Sequence, residues 1–245
     1  MIQSLLGKLI PTQRPEPIVC ATPDQVEVAE QAFYHAYLKP CMTAFDIGAN
    51  CGDLTSVFAQ LVGTGGYVHA FEPTPATYQR LTERLSRPPV ETHQLAVSAA
   101  EGTADLHVYD DDHDKWNTLA ARPLEKYGID IKPQGTESVP VTTLDTFCAD
   151  RDINRIDLLK IDIEGAELQA LQGARRLLRH RAIGAIVFEF GQTTFDMGNS
   201  PEAIAEYLAA CGYRLENVVS GDPLFPGGES PQTARFSMLL ARPEA

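Results

Sequence analysis

The sequence predicts an α/β fold: a mostly parallel, doubly wound sheet with helices on both faces. Three observations predict it. Short apolar runs alternate with amphipathic stretches of helical period along most of the 245 residues. Runs such as 156–163 read as strands buried on both faces. A glycine-bearing turn, Asp46-Ile-Gly-Ala-Asn-Cys-Gly52, joins the first run to the helical stretch that follows it. With 44% hydrophobic and 22% charged residues, the chain has the composition of one folded domain, placed at 23–245.

Taken in order, residues 1–22 read as a loosely held N-terminal arm. Its apolar stretch at 5–10 is interrupted by Lys8, and no small-residue cleavage site follows, so no signal peptide is expected. The run DQVEVAEQAFYHAYL (24–38) has helical spacing, with Asp24 as its cap and Pro40 as its stop. Strands are predicted at 43–47, 67–71, 92–97, 156–161, 185–190 and 236–240, and helices at 53–62, 75–85, 166–178 and 201–210. In the helix at 166–178, Leu168, Leu171, Ala174 and Leu178 form one apolar stripe. Glu164 and Glu167 stand at its start and Arg175, Arg176, Arg179 and His180 at its end, as the helix dipole favours. The stretch 110–137 breaks the rhythm. It is polar, lacks periodicity and carries the only tryptophan, Trp116, so it reads as a lid-like insertion.

Lys plus Arg number 20 against 33 Asp plus Glu, a net charge of −13. Such a chain is a poor partner for nucleic acid or an anionic membrane surface. No apolar run approaches the ~20 residues of a membrane helix, so no integral membrane association is expected. Five scattered cysteines without a C-x-x-C pair suit thiols in a reducing compartment, and a cytoplasmic location is the expectation. The six histidines show no zinc-binding spacing.

The turn after the first strand carries the chemistry. Gly48 permits a sharp bend, Asn50 tolerates unusual backbone angles, and Gly52 allows close approach of a ligand or of the next helix. Glu72, about 20 residues on at the end of the second strand, is placed to accept hydrogen bonds from ribose hydroxyls. The third glycine of a dinucleotide loop is missing. Asp53 stands there and would repel a pyrophosphate, while Asp46 suits a cationic ligand. S-adenosylmethionine carries an ammonium, a sulfonium and a ribose but no phosphate, so the loop favours a methyl donor over NAD.

FDIGANCGDLT, HAFEPTPATYQRL, LAVSAAEGTADL, VTTLDTF and LLKIDIEGAELQALQGARRLL occur in this order, and the chain from 44 to 190 resembles the FkbM family of S-adenosylmethionine-dependent methyltransferases. The resemblance implies a Rossmann-like class I methyltransferase fold with a seven-stranded, mostly parallel sheet whose last strand is antiparallel. It also implies O-methylation, often of sugar hydroxyls on glycolipids, polysaccharides or natural products. By the same resemblance Asp46, Gly48, Asn50 and Gly52 line the methionine part of the donor, and Glu72 holds the ribose. Pro73 borders the adenosine, and Ala96 and Val97 lie near adenine. The N-terminal helix and 110–137 are less family-like.

On the acceptor side, Lys160, Asp162 and Glu164 alternate along a strand and would share one face. A Lys160–Asp162 pair at the sheet's ligand edge serves acid/base work, a metal anchor, or a purely structural ion pair. Glu189, ending the fifth strand, would join Asp162 and Glu164 in a carboxylate cluster able to bind Mg²⁺ or a sugar hydroxyl. His113 is the candidate mobile base on the lid, whereas His69 reads as a packed core residue. Trp116, Tyr109 and Tyr127 either stack on a sugar face or pin the loop, and Cys51 reads as a packing residue. The expectation is an O-methyltransferase acting on a hydroxyl of a sugar, glycan or glycosylated natural product. The rival is a non-catalytic nucleoside-binding or protein-interaction domain on the same fold. An oxidoreductase is disfavoured by the absent third glycine.

Overall fold

The computed structural model describes residues 20–110 and 112–244. Most of the expected N-terminal arm therefore lies outside the described residues. The first helix, α1 (Pro23–Tyr37), opens on a capping box between Thr22 and Gln25. Thr22, not Asp24, is the cap: Pro23 takes the first helical position, leaving Thr22 extended with its hydroxyl aimed at the Gln25 N–H.

There follow β1 (Thr43–Ile47), α2 (Asp53–Val62), β2 (Tyr67–Phe71), α3 (Pro75–Leu85), β3 (Val90–His93), β4 (Ala96–Val97), β5 (Gly102–Val108), β6 (Gly135–Thr142) and α4 (Leu144–Ala149). The second half contains β7 (Ile156–Ile161), α5 (Glu167–Gln172), α6 (Arg175–Arg179), β8 (Ile183–Phe190), α7 (Gln192–Asp196), α8 (Pro201–Ala210), β9 (Tyr213–Asn217) and β10 (Ser237–Pro243). A seven-stranded sheet in the order β3-β2-β1-β7-β8-β10-β9 forms the middle layer. Its pairs are parallel from β3 through β8, and β10 runs antiparallel between β8 and β9. This is the sheet that the resemblance implies. The strand order reverses between β1 and β7, which opens a crevice at their carboxyl ends.

Alternation along the strands sorts the core into two layers. Phe45, Ile47, Phe71, Leu159, Ile161 and Phe188 pack toward α4, α5, α6 and α8. Ala44, Val68, Ala70, Leu158 and Val187 pack toward α1 and α2. Asp46 and Lys160, paired in register, lie on this second face.

Three further expectations are corrected. The run 92–97 is not one strand: β3 ends at His93, and β4 joins a separate three-stranded sheet, β4-β6-β5. The helix expected at 166–178 is broken. A Cβ on Gly173 would collide with the Ser98 carbonyl, and the Asp145 carboxylate receives the Arg176 and Leu177 N–H groups, which starts α6 afresh. The apolar stripe survives the break, with Leu168, Leu171, Ala174 and Leu178 all buried. The insertion at 110–137 is shorter than expected, because residues 135–137 already belong to β6; single 3₁₀ turns at Asp114–Trp116 and Leu124–Tyr127 supply its order.

Candidate functional site

A cleft of about 640 Å³ opens at the β1/β7 switch point, a size suited to a small organic ligand. The β1–α2 turn forms one wall. Gly48 adopts φ +79°, and a Cβ there would strike the Asp162 carbonyl, so the turn and the end of β7 approach as only glycine permits. Its N–H and that of Ala49 donate to the Phe71 carbonyl. Asn50 sits at φ +48° and its side-chain oxygen accepts from the Cys51 N–H. Gly52, at φ +84°, lies against Leu81 and Leu85 of α3 rather than against the cleft. It positions the loop, and it is not among the cleft's lining residues.

Glu72 is buried at the end of β2 and faces this wall. Its two oxygens accept from the Asn50 N–H at 3.1 Å and the Thr74 N–H at 2.9 Å, which fixes the carboxylate between the first two strand-end turns. Pro73, Ala96, Val97 and Leu95 extend the same side of the cleft.

Behind the turn lies a buried charge network. Lys160 Nζ donates to the Gly48 carbonyl at 3.1 Å, and stands 3.2 Å from Asp46 Oδ1 and 3.5 Å from Asp162 Oδ2. Asp46 Oδ2 accepts from the Thr55 hydroxyl at 2.6 Å. Burial alone would lower the Lys160 pKa, but Asp46 and Asp162 more than offset it and hold the ammonium charged. A charged, 3%-exposed lysine is a positioning cation and not a general base. Its packing against Asp46, on the neighbouring strand, is the part that alternation within one strand does not reveal. Glu30 of α1, which the sequence reading passed over, approaches from behind, and the Tyr34 hydroxyl donates to it at 2.5 Å. Burial raises its pKa to about 7. Its signal in the sequence is an acid at the centre of the buried Val26, Glu30, Tyr34 stripe.

The opposite wall carries the other carboxylates. Asp162 has 42% of its side chain exposed and lines the cleft. Glu189 is buried; desolvation, then the neighbouring Glu164 and Asp162, raise its pKa well above the ordinary value, so it keeps its proton and donates to Asp162. Glu164 departs from the shared face. β7 ends at Ile161, and Glu164 takes φ +55°, which swings its carboxylate to Arg122 at 3.3 Å. Burial and Asp162 raise its pKa to about 8, against the pull of Arg122. Glu167 accepts from the Ile163 and Gly165 N–H groups, both at 3.1 Å, and so braces the turn after β7. Among the described residues Asp162, Glu164 and Glu189 do not bring three ligand atoms within 4.8 Å of one another. Arg122 lies against Glu164, and the pKa values of Glu164 and Glu189 are raised, both of which ease their repulsion.

The insertion closes over this wall. Trp116, Asn117, Thr118, Leu119 and Arg122 line the cleft, with the Arg122 guanidinium 5.5 Å from the centre of the Trp116 ring. Arg122 also meets Asp196 at 3.3 Å, and the Tyr127 hydroxyl donates to Asp196 at 2.6 Å. The Thr118 hydroxyl donates to the Glu164 carbonyl at 2.8 Å. Tyr127 and buried Tyr109 therefore pin the insertion, while Trp116 faces the cleft. His113 is not among the cleft's lining residues. Its Nδ1 lies 2.6 Å from Asp110 and its ring packs on Trp116, an arrangement that steadies the insertion. His69 is packed against Phe45 and Phe147, as expected. Arg122 was missed by sequence reading; its signal is a lone arginine between apolar residues in an otherwise acidic segment.

No helix among the described residues is long and apolar enough to cross a membrane. The model of the methyltransferase FkbM domain family matches residues 46–215. The chain is 29% identical over 220 residues to the 31-O-demethyl-FK506 methyltransferase FkbM of Streptomyces tacrolimicus, covering 80% of this chain and 81% of that protein. It is 26% identical over 135 residues to the hexuronic acid methyltransferase AglP of Haloferax volcanii, covering 55% of this chain and 51% of AglP. It is 28% identical over 149 residues to the 2-O-methyltransferase NoeI of Sinorhizobium fredii, covering 57% of this chain and 60% of NoeI.

Proposed function

Because the chain belongs to the FkbM family of S-adenosylmethionine-dependent methyltransferases, we propose that it methylates a hydroxyl of a sugar, a glycan or a glycosylated natural product. One observation carries this reading. A single cleft is lined on one side by the β1 turn and Glu72, and on the other by Asp162, Glu189 and the Trp116 and Arg122 side chains of the insertion.

The residues present fit the cofactor. The turn from Gly48 to Cys51 lines the cleft, and the buried Lys160 ammonium beside it is paired with Asp46. Glu72, oriented by two backbone N–H groups, would hold the ribose diol, and Leu95, Ala96 and Val97 would flank adenine. S-adenosylmethionine supplies an electrophilic methyl group. What remains for the chain is to place a hydroxyl in line and take its proton. Asp162 is the residue for this: it lines the cleft and is oriented from two sides, by the proton of Glu189 and the charge of Lys160. Trp116 offers an apolar face for a sugar ring, and Arg122 a cation for a carboxylate or hydroxyl-rich acceptor. The hexuronic acid in the name of AglP supports a carbohydrate acceptor, and the O-positions in the names of FkbM and NoeI support transfer to oxygen.

The test is incubation with methyl-labelled S-adenosylmethionine and a carbohydrate-containing metabolite extract, followed by mass spectrometry. Label in a base-stable ether of a sugar hydroxyl is expected. Label confined to amines, carboxylates or thiols would overturn the acceptor assignment, and failure to bind the cofactor would overturn the whole reading.

A further inference from the structure

Away from the cleft, three metal-ligating side chains converge at the edge of the large sheet. His69 on β2 and Glu91 and His93 on β3 share one face, and His69 is in register with Glu91. His69 Nδ1 lies 3.1 Å from His93 Nε2 and 3.7 Å from Glu91 Oε2, and one donor atom from each residue falls within 4.8 Å of the others. None of the three lines the cleft.

We propose that His69, Glu91 and His93 form a Zn²⁺-class metal site that clips the edge strand β3 to β2. Two imidazoles and a carboxylate are ligands suited to this borderline cation, with a fourth position left for solvent. The geometry favours a cation over a proton. A proton between His69 and His93 satisfies one nitrogen–nitrogen contact and leaves the Glu91 oxygen out of hydrogen-bond range, whereas a divalent ion engages all three donors. Glu91, with 57% of its side chain exposed, has room to swing toward the two imidazoles. The histidines are already set against Phe45, Phe71 and Phe147, an apolar shell that lowers the local dielectric. Arg151, stacked 3.9 Å over Phe147, is the opposing charge, so the expected affinity is micromolar rather than that of a closed structural site. The clip stands two residues before Leu95, which lines the cleft, so it would stiffen the adenine side of the cleft without supplying chemistry there.

The experiment is titration of the metal-stripped full chain with Zn²⁺ against a chromophoric chelator, with thermal denaturation in parallel. One equivalent at micromolar Kd and a rise in Tm are expected. Glu91→Gln and His93→Gln should each weaken binding at least tenfold and abolish the rise. Exposed Glu91 serves as the second probe should His93→Gln fold poorly. Absence of saturable binding below millimolar Zn²⁺, or an affinity unchanged by Glu91→Gln, would overturn the site. Cofactor binding is read separately by calorimetry, so the proposal stands or falls independently of the methyltransferase reading.

Discussion

Lys160 Nζ stands 3.2 Å from Asp46 Oδ1 on the neighbouring strand, and the same ammonium donates to the Gly48 carbonyl. One buried cation thereby ties β7 to the turn that forms one wall of the cleft. Removing it leaves Asp46 buried with a charge unopposed. Lys160→Met is expected to destabilise the fold by about 3–5 kcal/mol, read from urea denaturation. A loss below about 1 kcal/mol would show that the pair carries little of the turn's stability.

Glu72 holds two turns as well as facing the cleft. Glu72→Ala is expected to weaken S-adenosylmethionine binding by about 10- to 100-fold in calorimetry, because it removes an acceptor and leaves the Asn50 and Thr74 N–H groups unpaired. Glu72→Gln, which keeps one acceptor oxygen, should lie between the two. An unchanged Kd in the alanine variant would remove Glu72 from the cofactor site.

Asp162 should separate chemistry from cofactor binding. Asp162→Asn is expected to lower kcat by about 10²- to 10⁴-fold, the range for loss of a general base. The Kd of the cofactor should move less than threefold. Equal losses in both would place Asp162 with the donor and not with the acceptor.

Glu30 sets a pH signature for stability. Its folded-state pKa is about 7, above the ordinary 4.5, chiefly through burial. Between those values the folded chain holds a proton that the unfolded chain has released, so its contribution is full at low pH and is lost as pH rises through 7. The loss amounts to on the order of 3 kcal/mol. Urea midpoints measured from about pH 5 to pH 8 should fall, and Glu30→Gln should flatten the fall. A slope unchanged by the substitution would assign it elsewhere.

Tyr127 tests how the insertion is held. Tyr127→Phe deletes the hydroxyl that donates to Asp196. Hydrogen exchange across 112–134 should rise several-fold, and the KM for the acceptor should rise with little change in cofactor Kd. Unchanged exchange would mean that Arg122 and Thr118 suffice as anchors.

Much of the first half was legible because it is local. The bounds of β1, α2, β2 and α3 follow from runs and stripes that end at Gly48, Gly63, Pro73 and Ser86. The break at Gly173 was not legible, since it is imposed by Ser98, 75 positions away in the chain. The β5–β6 hairpin left a readable trace in the alternation of Ala104, Leu106 and Val108, which cluster with Val139 and Val141. The polar residues between those strands outweighed that trace. At the site, the turn and Glu72 were readable from spacing alone. The roles of Glu30, Arg122 and Asp196 depend on contacts between segments far apart, and Glu164 on a positive φ that strand alternation does not foresee.

The insertion springs from a hairpin whose root closes on itself, Val108 opposite Gly135, outside the parallel sheet. Its length and composition can therefore drift without re-registering any strand of the seven-stranded sheet. A chimera receiving a relative's segment between those two residues should inherit that relative's choice of acceptor while retaining its own grip on the nucleoside.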